Sequence, residues 1–241
     1  MKAKNLILTL ALIIAVLGGL NAQTAQEIIN KVDQKISAPQ DVKQNIKMIL
    51  TDRNGRQQVR TSIIYQKGKD KRLVKFTSPA AYRGIAFLSL PGDVMYVYMP
   101  AYGRERRIAS SVKNQKFAGT DLTYEDMQAK NYSDKYNSKL IKSDANGYVL
   151  ELTPKERSQY SKVILYVNKD YLPTKAEFFN RGNQKIKVLT FNFVKSGKYW
   201  YPKTMEARDL RTKHSTKMVV QSVQFDTGLK DNIFTVRYMK Q

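Results

Sequence analysis

From about Val42 onward, short runs of β-branched and aromatic residues recur between turn signals, and this period of two restricts the chain to a β-rich fold. The runs include VRTSIIY, IAFLSL, VMYVYM, GYVLEL, KVILYV, KVLTFNFV and KMVVQSVQF. The turn signals include Asn54-Gly55, Gly68, Pro91-Gly92-Asp93, Asn146-Gly147, Gly182-Asn183 and Ser196-Gly197. Short runs joined in this way pair as antiparallel hairpins in sequence order. About ten to twelve strands are expected, and an open sheet of that size curls.

The predicted strands differ in how many of their faces are apolar. In VMYVYM, Met95 and Val97 point to one face while Tyr96 and Tyr98 point to the other. KVLTFNFV instead has one apolar and one polar face. This mixture predicts a mainly β (α+β) chain with one curved antiparallel sheet, whose concave side is covered by few helices. The pattern alone leaves open whether that side holds an apolar pocket or a fully packed core.

Two segments carry helix signals. TAQEIINKVDQKI begins with a capping box, in which Thr24 caps the helix and Glu27 reaches back to it, and its apolar residues share one face. GTDLTYEDM contains a second box, formed by Thr123 and Asp126. This second segment predicts a helical lid over the apolar face of the sheet.

Leu122 and Met127 flank the second box at the two positions of a hydrophobic staple, which favours the same helix start. Glu125 lies in the first turn, where the helix dipole favours negative charge. Capping does not account for Asp121, just outside the helix.

Residues 1–22 have the pattern of a secretory signal peptide, with Lys2 and Lys4 before an apolar run that is short for a membrane span. Cleavage is expected after Ala22, and a retained N-terminal anchor is the alternative. The absence of a linker predicts a single domain over residues 23–241. The signal-peptide pattern implies that the mature chain is exported.

The formal charge of +22 invites a nucleic-acid partner, because phosphate contacts scale with the number of basic residues. Export argues against that partner and favours anionic lipid headgroups or an acidic protein surface. Simple solvation of the surface explains the charge equally well. Because the chain contains no cysteine, disulfides and thiolate chemistry are excluded.

Signals for catalysis are weak. His214 is the single histidine and lies in a polar run, so we expect it to face solvent. The sequence contains no G-x-S-x-G turn and no phosphate-binding loop, and one histidine makes a zinc site improbable. We therefore predict no enzyme, metal or cofactor, although paired carboxylates cannot be detected from sequence.

Two basic clusters are candidate docking patches for an acidic partner, with a solvated hairpin edge as the alternative. The first is at a hairpin tip and the second follows the turn at Pro100–Gly103. Their residues are Lys67, Lys69, Lys71 and Arg72, and then Arg104, Arg106 and Arg107.

The order of several motifs resembles a known family. These are MPAYGRERRI, FAGTDLTYEDM, GYVLELTPK, YSKVILYVNKDYLPTKAEFFN, YWYPKTMEARD and HSTKMVVQSVQFDTGLKDNIFTVRYM. Together they resemble the outer-membrane lipoprotein-sorting family of LolA-like periplasmic carriers. The resemblance implies a half-open barrel with helices across its mouth, and an apolar cavity that carries acyl chains without a cofactor. Arg60 is the candidate for the cavity arginine of the better-known carrier.

Nine residues are candidates for lining that cavity, and plain core is the alternative for each. They are Leu88, Leu90, Met95, Val97, Met99, Leu122, Met127, Phe191 and Phe193.

The leading hypothesis is a periplasmic carrier of lipoproteins or lipids that exchanges cargo with a membrane transporter or an outer-membrane acceptor, and touches the membrane surface transiently. The second is a non-carrier module that docks on an envelope lipid or efflux transporter. A hydrolase is third.

Overall fold

The computed structural model describes residues 23–241, so the predicted signal peptide and its cleavage after Ala22 lie outside the described residues. Within that range thirteen strands form one antiparallel sheet. They are β1 (Asp41–Thr51), β2 (Gln57–Lys67), β3 (Lys71–Ser78), β4 (Ala86–Leu90), β5 (Val94–Met99), β6 (Arg104–Arg107), β7 (Tyr136–Asp144), β8 (Gly147–Pro154), β9 (Tyr160–Val167), β10 (Pro173–Asn180), β11 (Lys185–Ser196), β12 (Tyr199–Asp209) and β13 (His214–Phe225). The expected curved sheet and half-open barrel are confirmed, with one strand more than the expected upper number.

The sheet order is β6-β5-β4-β3-β2-β1-β13-β12-β11-β10-β9-β8-β7. The first and last strands therefore pair at the centre, with Val42 opposite Phe225. The two edges, β6 and β7, are consecutive strands in the chain. Residues 108–135 connect these edges, and we call them the covering segment.

The helices of residues 23–241 are short except the first. They are α1 (Ala25–Ile36), α2 (Tyr124–Met127), α3 (Tyr132–Lys135) and α4 (Val236–Met239), with 3-10 turns at Pro100–Tyr102, Ser110–Val112, Phe117–Gly119 and Asp231–Phe234. Both predicted capping boxes are confirmed: Thr24 Oγ1 accepts from the Glu27 amide, and Thr123 Oγ1 accepts from the Asp126 amide.

The second predicted helix, α2, is only one turn long and ends at Met127. Side chains take carbonyl groups that a longer helix would use internally. The Arg72 guanidinium donates to the Met127 carbonyl at 3.1 Å, and the Lys135 ammonium donates to the Glu125 carbonyl at 3.0 Å. The lid is therefore a mostly irregular segment with single helical turns, held by cations.

The main core lies on the inner face of the sheet, which we define as the face covered by α1 and the covering segment. Ile28, Ile29 and Val32 of α1 pack there in one cluster with Phe117 of the covering segment. The strands contribute fully buried side chains to the same cluster: Met48, Phe76, Phe87, Met95, Leu150, Leu152 and Leu165.

A second, smaller core lies on the outer face. Leu229, Phe234 and Met239 of the C-terminal segment pack against Leu73 and Leu88 of the sheet. This segment begins at a turn that is bound to one carboxylate: Asp41 accepts hydrogen bonds from the Thr227 amide and hydroxyl and from the amides of Gly228 and Leu229. Burial alone would raise the pKa of Asp41, but these hydrogen bonds outweigh it and hold the pKa below its usual value.

Replacing Asp41 with Ala should lower the free energy of unfolding by about 2–3 kcal/mol, because buried donors lose a charged acceptor. Urea unfolding at neutral pH measures this change. Asp170→Ala, in an exposed turn, is the control and should cost less than about 0.5 kcal/mol.

The effect of Asp41→Ala should also depend on pH. A lowered native pKa stabilises the fold above the unfolded-state pKa, and this contribution disappears as the pH falls through the native pKa. The difference between wild type and Asp41→Ala should therefore shrink in acid. A difference that is the same at every pH contradicts the assigned role.

Candidate functional site

The inner face carries parallel rows of side chains that cross neighbouring strands. In one row Phe178, Lys187, Asp209 and His214 stand opposite one another on β10 to β13. We call it the polar row. It lies beneath the covering segment and supplies charged partners to it.

A second row is apolar and rich in methionine. Phe191 of β11 stands opposite Met205 of β12, which stands opposite Met218 of β13, which stands opposite Met48 of β1. We call these four residues the methionine row. Met48 is buried, whereas Phe191, Met205 and Met218 are only partly buried. The row thus begins within the core and ends partly in solvent.

Arg60 of β2 stands opposite Met48 at the buried end of this row. Its guanidinium donates to the carbonyl of Ala118 in the covering segment and to Gln58 Oε1 at 3.2 Å. It also stacks 3.5 Å from the ring centroid of Tyr82. Burial lowers the pKa of Arg60. Arg60 therefore clamps the covering segment onto β2.

A buried ion pair joins the covering segment to the polar row. The Lys187 ammonium donates to Asp126 Oδ2 at 2.5 Å, and both side chains are only 6% exposed. Lys187 also bonds to the Tyr160 hydroxyl, which donates to Asp126 Oδ1 at 3.0 Å. Burial would raise the pKa of Asp126, but the Lys187 charge and hydrogen bonds hold it below its usual value.

Asp121 forms a second polar junction and is fully buried. Its carboxylate accepts from Lys116 at 2.8 Å and from the Thr216 hydroxyl at 2.8 Å, and lies 2.5 Å from His214 Nδ1. Its amide donates to Thr216 Oγ1 at 3.0 Å. The expectation that His214 faces solvent is wrong, because the Asp121 contact holds its side chain at 24% exposure. Asp121, unexplained by capping, is the anchor of the covering segment on β13.

The His214 and Asp121 pair does not have the arrangement of a hydrolytic triad. The neighbouring hydroxyl, that of Thr216, donates to Asp121 rather than to the imidazole. A triad requires the nucleophile to give its proton to histidine. The observed geometry is therefore that of a structural junction. Residues 23–241 contain no group of three or more His, Cys, Asp or Glu residues placed to hold a metal ion.

The predicted cavity residues fall on both faces of the sheet. Met95, Val97, Leu122 and Met127 are buried in the inner core, and Met99 and Phe191 are partly buried at its margin. Phe193 follows a β-bulge and lies 6.3 Å from the Phe191 ring.

Leu88 and Leu90 lie on the outer face, which contradicts the prediction that they share a face with Met95. Leu88 pairs with Tyr96, whereas Met95 pairs with Ser89, so the two sets alternate. Both leucines pack in the outer core beneath the C-terminal segment.

The lysines of the first basic cluster form ion pairs with carboxylates of the same chain. Lys67 and Lys71 both pair with Asp231, at 3.0 and 3.1 Å, and Lys69 pairs with Asp134 at 3.1 Å. Arg72 turns inward and contacts Met127, and burial lowers its pKa to about 10. In the second cluster, Arg104, Arg106 and Arg107 are exposed on edge strand β6.

Two hollows within residues 23–241 are lined mainly by polar and charged residues. One, of about 360 Å³, lies between α1 and the covering segment and is lined by Asn30, Asp33, Gln34, Ser37, Lys69, Asn131 and Ser133. The other is about 30 Å³ and lies beside Glu125 and Lys135. Beneath the covering segment the apolar inner face is packed against Phe117 and Tyr124, whose rings are 6.1 Å apart. No helix within residues 23–241 has the length and apolar character needed to cross a membrane.

Comparisons with known proteins identify similar chains. A family model described as "-like: Uncharacterized protein" matches residues 68–241. No curated protein matches. A solved domain described as an outer membrane lipoprotein-sorting protein domain, from Vibrio parahaemolyticus, is 30% identical with a TM-score of 0.83, over 90% of this chain and 98% of that one.

Two further solved structures are similar over most of their length. A DUF1329 family protein from Desulfovibrio piger is 28% identical with a TM-score of 0.83, over 89% of this chain and 97% of that one. A LolA superfamily protein from Nitrosomonas europaea is 26% identical with a TM-score of 0.77, over 90% of this chain and 100% of that one.

Replacing Thr216 with Val should release the covering segment from β13, because the Asp121 amide and carboxylate lose a buried partner. We expect the free energy of unfolding to fall by about 1–3 kcal/mol and the Asp121 amide to exchange about tenfold faster. Hydrogen exchange followed by NMR measures both. Thr190→Val, exposed on β11, is the matched control. An unchanged exchange rate of the Asp121 amide in Thr216→Val would contradict the anchoring role.

Proposed function

The chain belongs to the outer-membrane lipoprotein-sorting family of LolA-like proteins, and we propose that residues 23–241 form a single-domain carrier of lipid or lipoprotein acyl chains. The cargo binds on the inner face of the sheet and crosses the periplasm between envelope membranes. The carrier performs no catalysis and uses no cofactor.

The methionine row is the observation that carries the proposal. Phe191, Met205 and Met218 form a continuous apolar strip across three strands, and each is partly exposed. A concave apolar strip with few polar groups is the usual form of a lipid or small-molecule site. Methionine adapts to chains of different shape, because its thioether side chain is flexible and polarisable.

The free energy of binding follows from the area removed from water. Each buried methylene contributes about 0.8 kcal/mol, so eight methylenes supply about 6 kcal/mol before the cost of ordering the chain. Such affinity needs no specific polar contact. Release to an acceptor then depends on a conformational change or a tighter-binding partner.

Opening requires the covering segment to leave the inner face, where Phe117 and Leu122 occupy space that an acyl chain would need. Besides this apolar packing, polar junctions at Arg60, Arg72, Lys187 and Thr216 join it to the sheet. Such junctions can break one at a time without disturbing the strands.

The exposed arginines of β6 suit docking on an acidic surface of a membrane transporter or an outer-membrane acceptor, or transient contact with anionic lipid. They are also what favours the alternative, a non-carrier module that docks on an envelope transporter. In that case the packed inner core is permanent. Lipid binding separates the two functions.

The test combines native lipid analysis with displacement of a fluorescent fatty acid. The purified protein should contain extractable acyl species, and Met205→Glu should weaken binding of the fluorescent fatty acid at least about tenfold, because a charge enters the apolar strip. Thr204→Glu, on the adjacent position of the same strand with the opposite orientation, is the matched control. Absence of bound acyl species together with no binding of the fluorescent fatty acid overturns the carrier function.

A further inference from the structure

We propose that the cargo carries an anionic group, a phosphate or a carboxylate, which replaces Asp126 on Lys187 when the covering segment moves aside; this inference rests on the proposed carrier function. Asp126 then acts as an internal stand-in for the headgroup in the closed state.

Lys187 is a buried cation in the polar row, between Phe178 of β10 and Asp209 of β12. Its ammonium lies 4.4 Å from the Phe178 ring centroid and 4.7 Å from the Tyr160 ring centroid. Its charge partner, Asp126, belongs to the covering segment and not to the sheet. The pair therefore separates whenever the segment leaves.

A bound acyl chain without a charge would leave the Lys187 ammonium buried and without a charge partner. The chain would exclude water from the inner face, and an ammonium that is buried without a partner is strongly destabilising. Asp209, its neighbour on β12, is already engaged, since it accepts from Arg211 Nη2 at 3.0 Å and from the Arg211 amide at 2.9 Å. An anionic group on the cargo restores the missing partner.

The sheet retains further donors for such a group. Tyr160, on β9, keeps its hydroxyl beside Lys187. His214, at the far end of the polar row, loses Asp121 when the segment leaves. These donors surround the place that the lid carboxylates occupy in the closed state.

The order of residues along β11 fits a molecule with one anionic end and one apolar end. Lys187, Leu189 and Phe191 point to the inner face in succession, and four residues of strand span about 13 Å. The anionic group would lie at Lys187, and the acyl chain would extend past Leu189 to the methionine row. The polar and apolar rows thus match the two halves of an anionic lipid.

The test compares two single-chain lipids that differ in charge. The anionic probe is 1-myristoyl lysophosphatidylglycerol and the neutral probe is 1-monomyristoylglycerol, both below their critical micelle concentrations. We expect wild-type protein to prefer the anionic probe by about tenfold, the effect of one charge-assisted hydrogen bond. Isothermal titration calorimetry measures both dissociation constants, and inorganic phosphate alone is a third titrant.

Three variants and a control assign that preference to Lys187. Asp126→Asn should increase it, because the competing carboxylate is gone. Lys187→Met should abolish it. The double variant Lys187→Met with Asp126→Asn, which leaves no unpaired buried charge, should also abolish it and guards against misfolding of the single variant. Lys185→Met, which removes an exposed lysine on the same strand, should leave it unchanged.

Each remaining outcome overturns the inference. If both lipids bind wild type equally, the carrier function stands and the anionic cargo is wrong. If neither lipid binds, the carrier function fails as well. If the double variant keeps the preference, Lys187 is not the site. If inorganic phosphate binds as tightly as the anionic lipid, the site recognises a free anion and not a headgroup.

Discussion

The covering segment is held on the inner face by cations that stand on the sheet and bind acceptors of the segment. Arg60 binds the Ala118 carbonyl, Arg72 binds the Met127 carbonyl, and Lys187 binds the Asp126 carboxylate. Charge-assisted hydrogen bonds of this kind are directional and strong when buried. They fix an irregular segment that has little helical structure of its own. The packing of Phe117 and Leu122 against the sheet depends on that placement.

The connection of the covering segment to both edges of the sheet limits how the inner face can open. The segment continues from Arg107 of β6 and leads into Tyr136 of β7. It cannot swing away around one hinge with a free end, because both of its ends are fixed to strands. Opening therefore involves bulging of the segment or separation of the two edges.

The sequence predicted the features that depend on near neighbours. Each capping box joins two residues three positions apart, and the hairpins follow from alternation and turns, so both could be predicted from the sequence. The covering segment over the sheet was also predicted, with a helix that begins after Thr123; that helix is one turn long and ends at Met127. The separation of Leu88 from Met95 depends on the register of the β4–β5 hairpin, in which Leu90 pairs with Val94 and Ser89 with Met95.

Features that depend on distant partners were not predictable in this way. Asp121 and His214 are 93 residues apart in the chain, and Asp126 and Lys187 are 61 apart. Nothing near His214 in the sequence indicates a buried carboxylate. Arg60 was a candidate only through the family resemblance, and its contact with Ala118 exists only once β2 and the covering segment are brought together.

The pairing of β1 with β13 at the centre of the sheet has a consequence for how the chain folds. The strands β2 to β6 and β7 to β12 each pair with their sequence neighbours, so these two meanders can form from local contacts. The seam between them, where Val42 meets Phe225, closes a loop that contains the eleven strands β2 to β12. Contacts of such long sequence separation form late and slow the folding of β proteins. Until that seam closes, the facing edges of β1 and β13 expose unpaired backbone groups, which can pair with the edge strands of other chains.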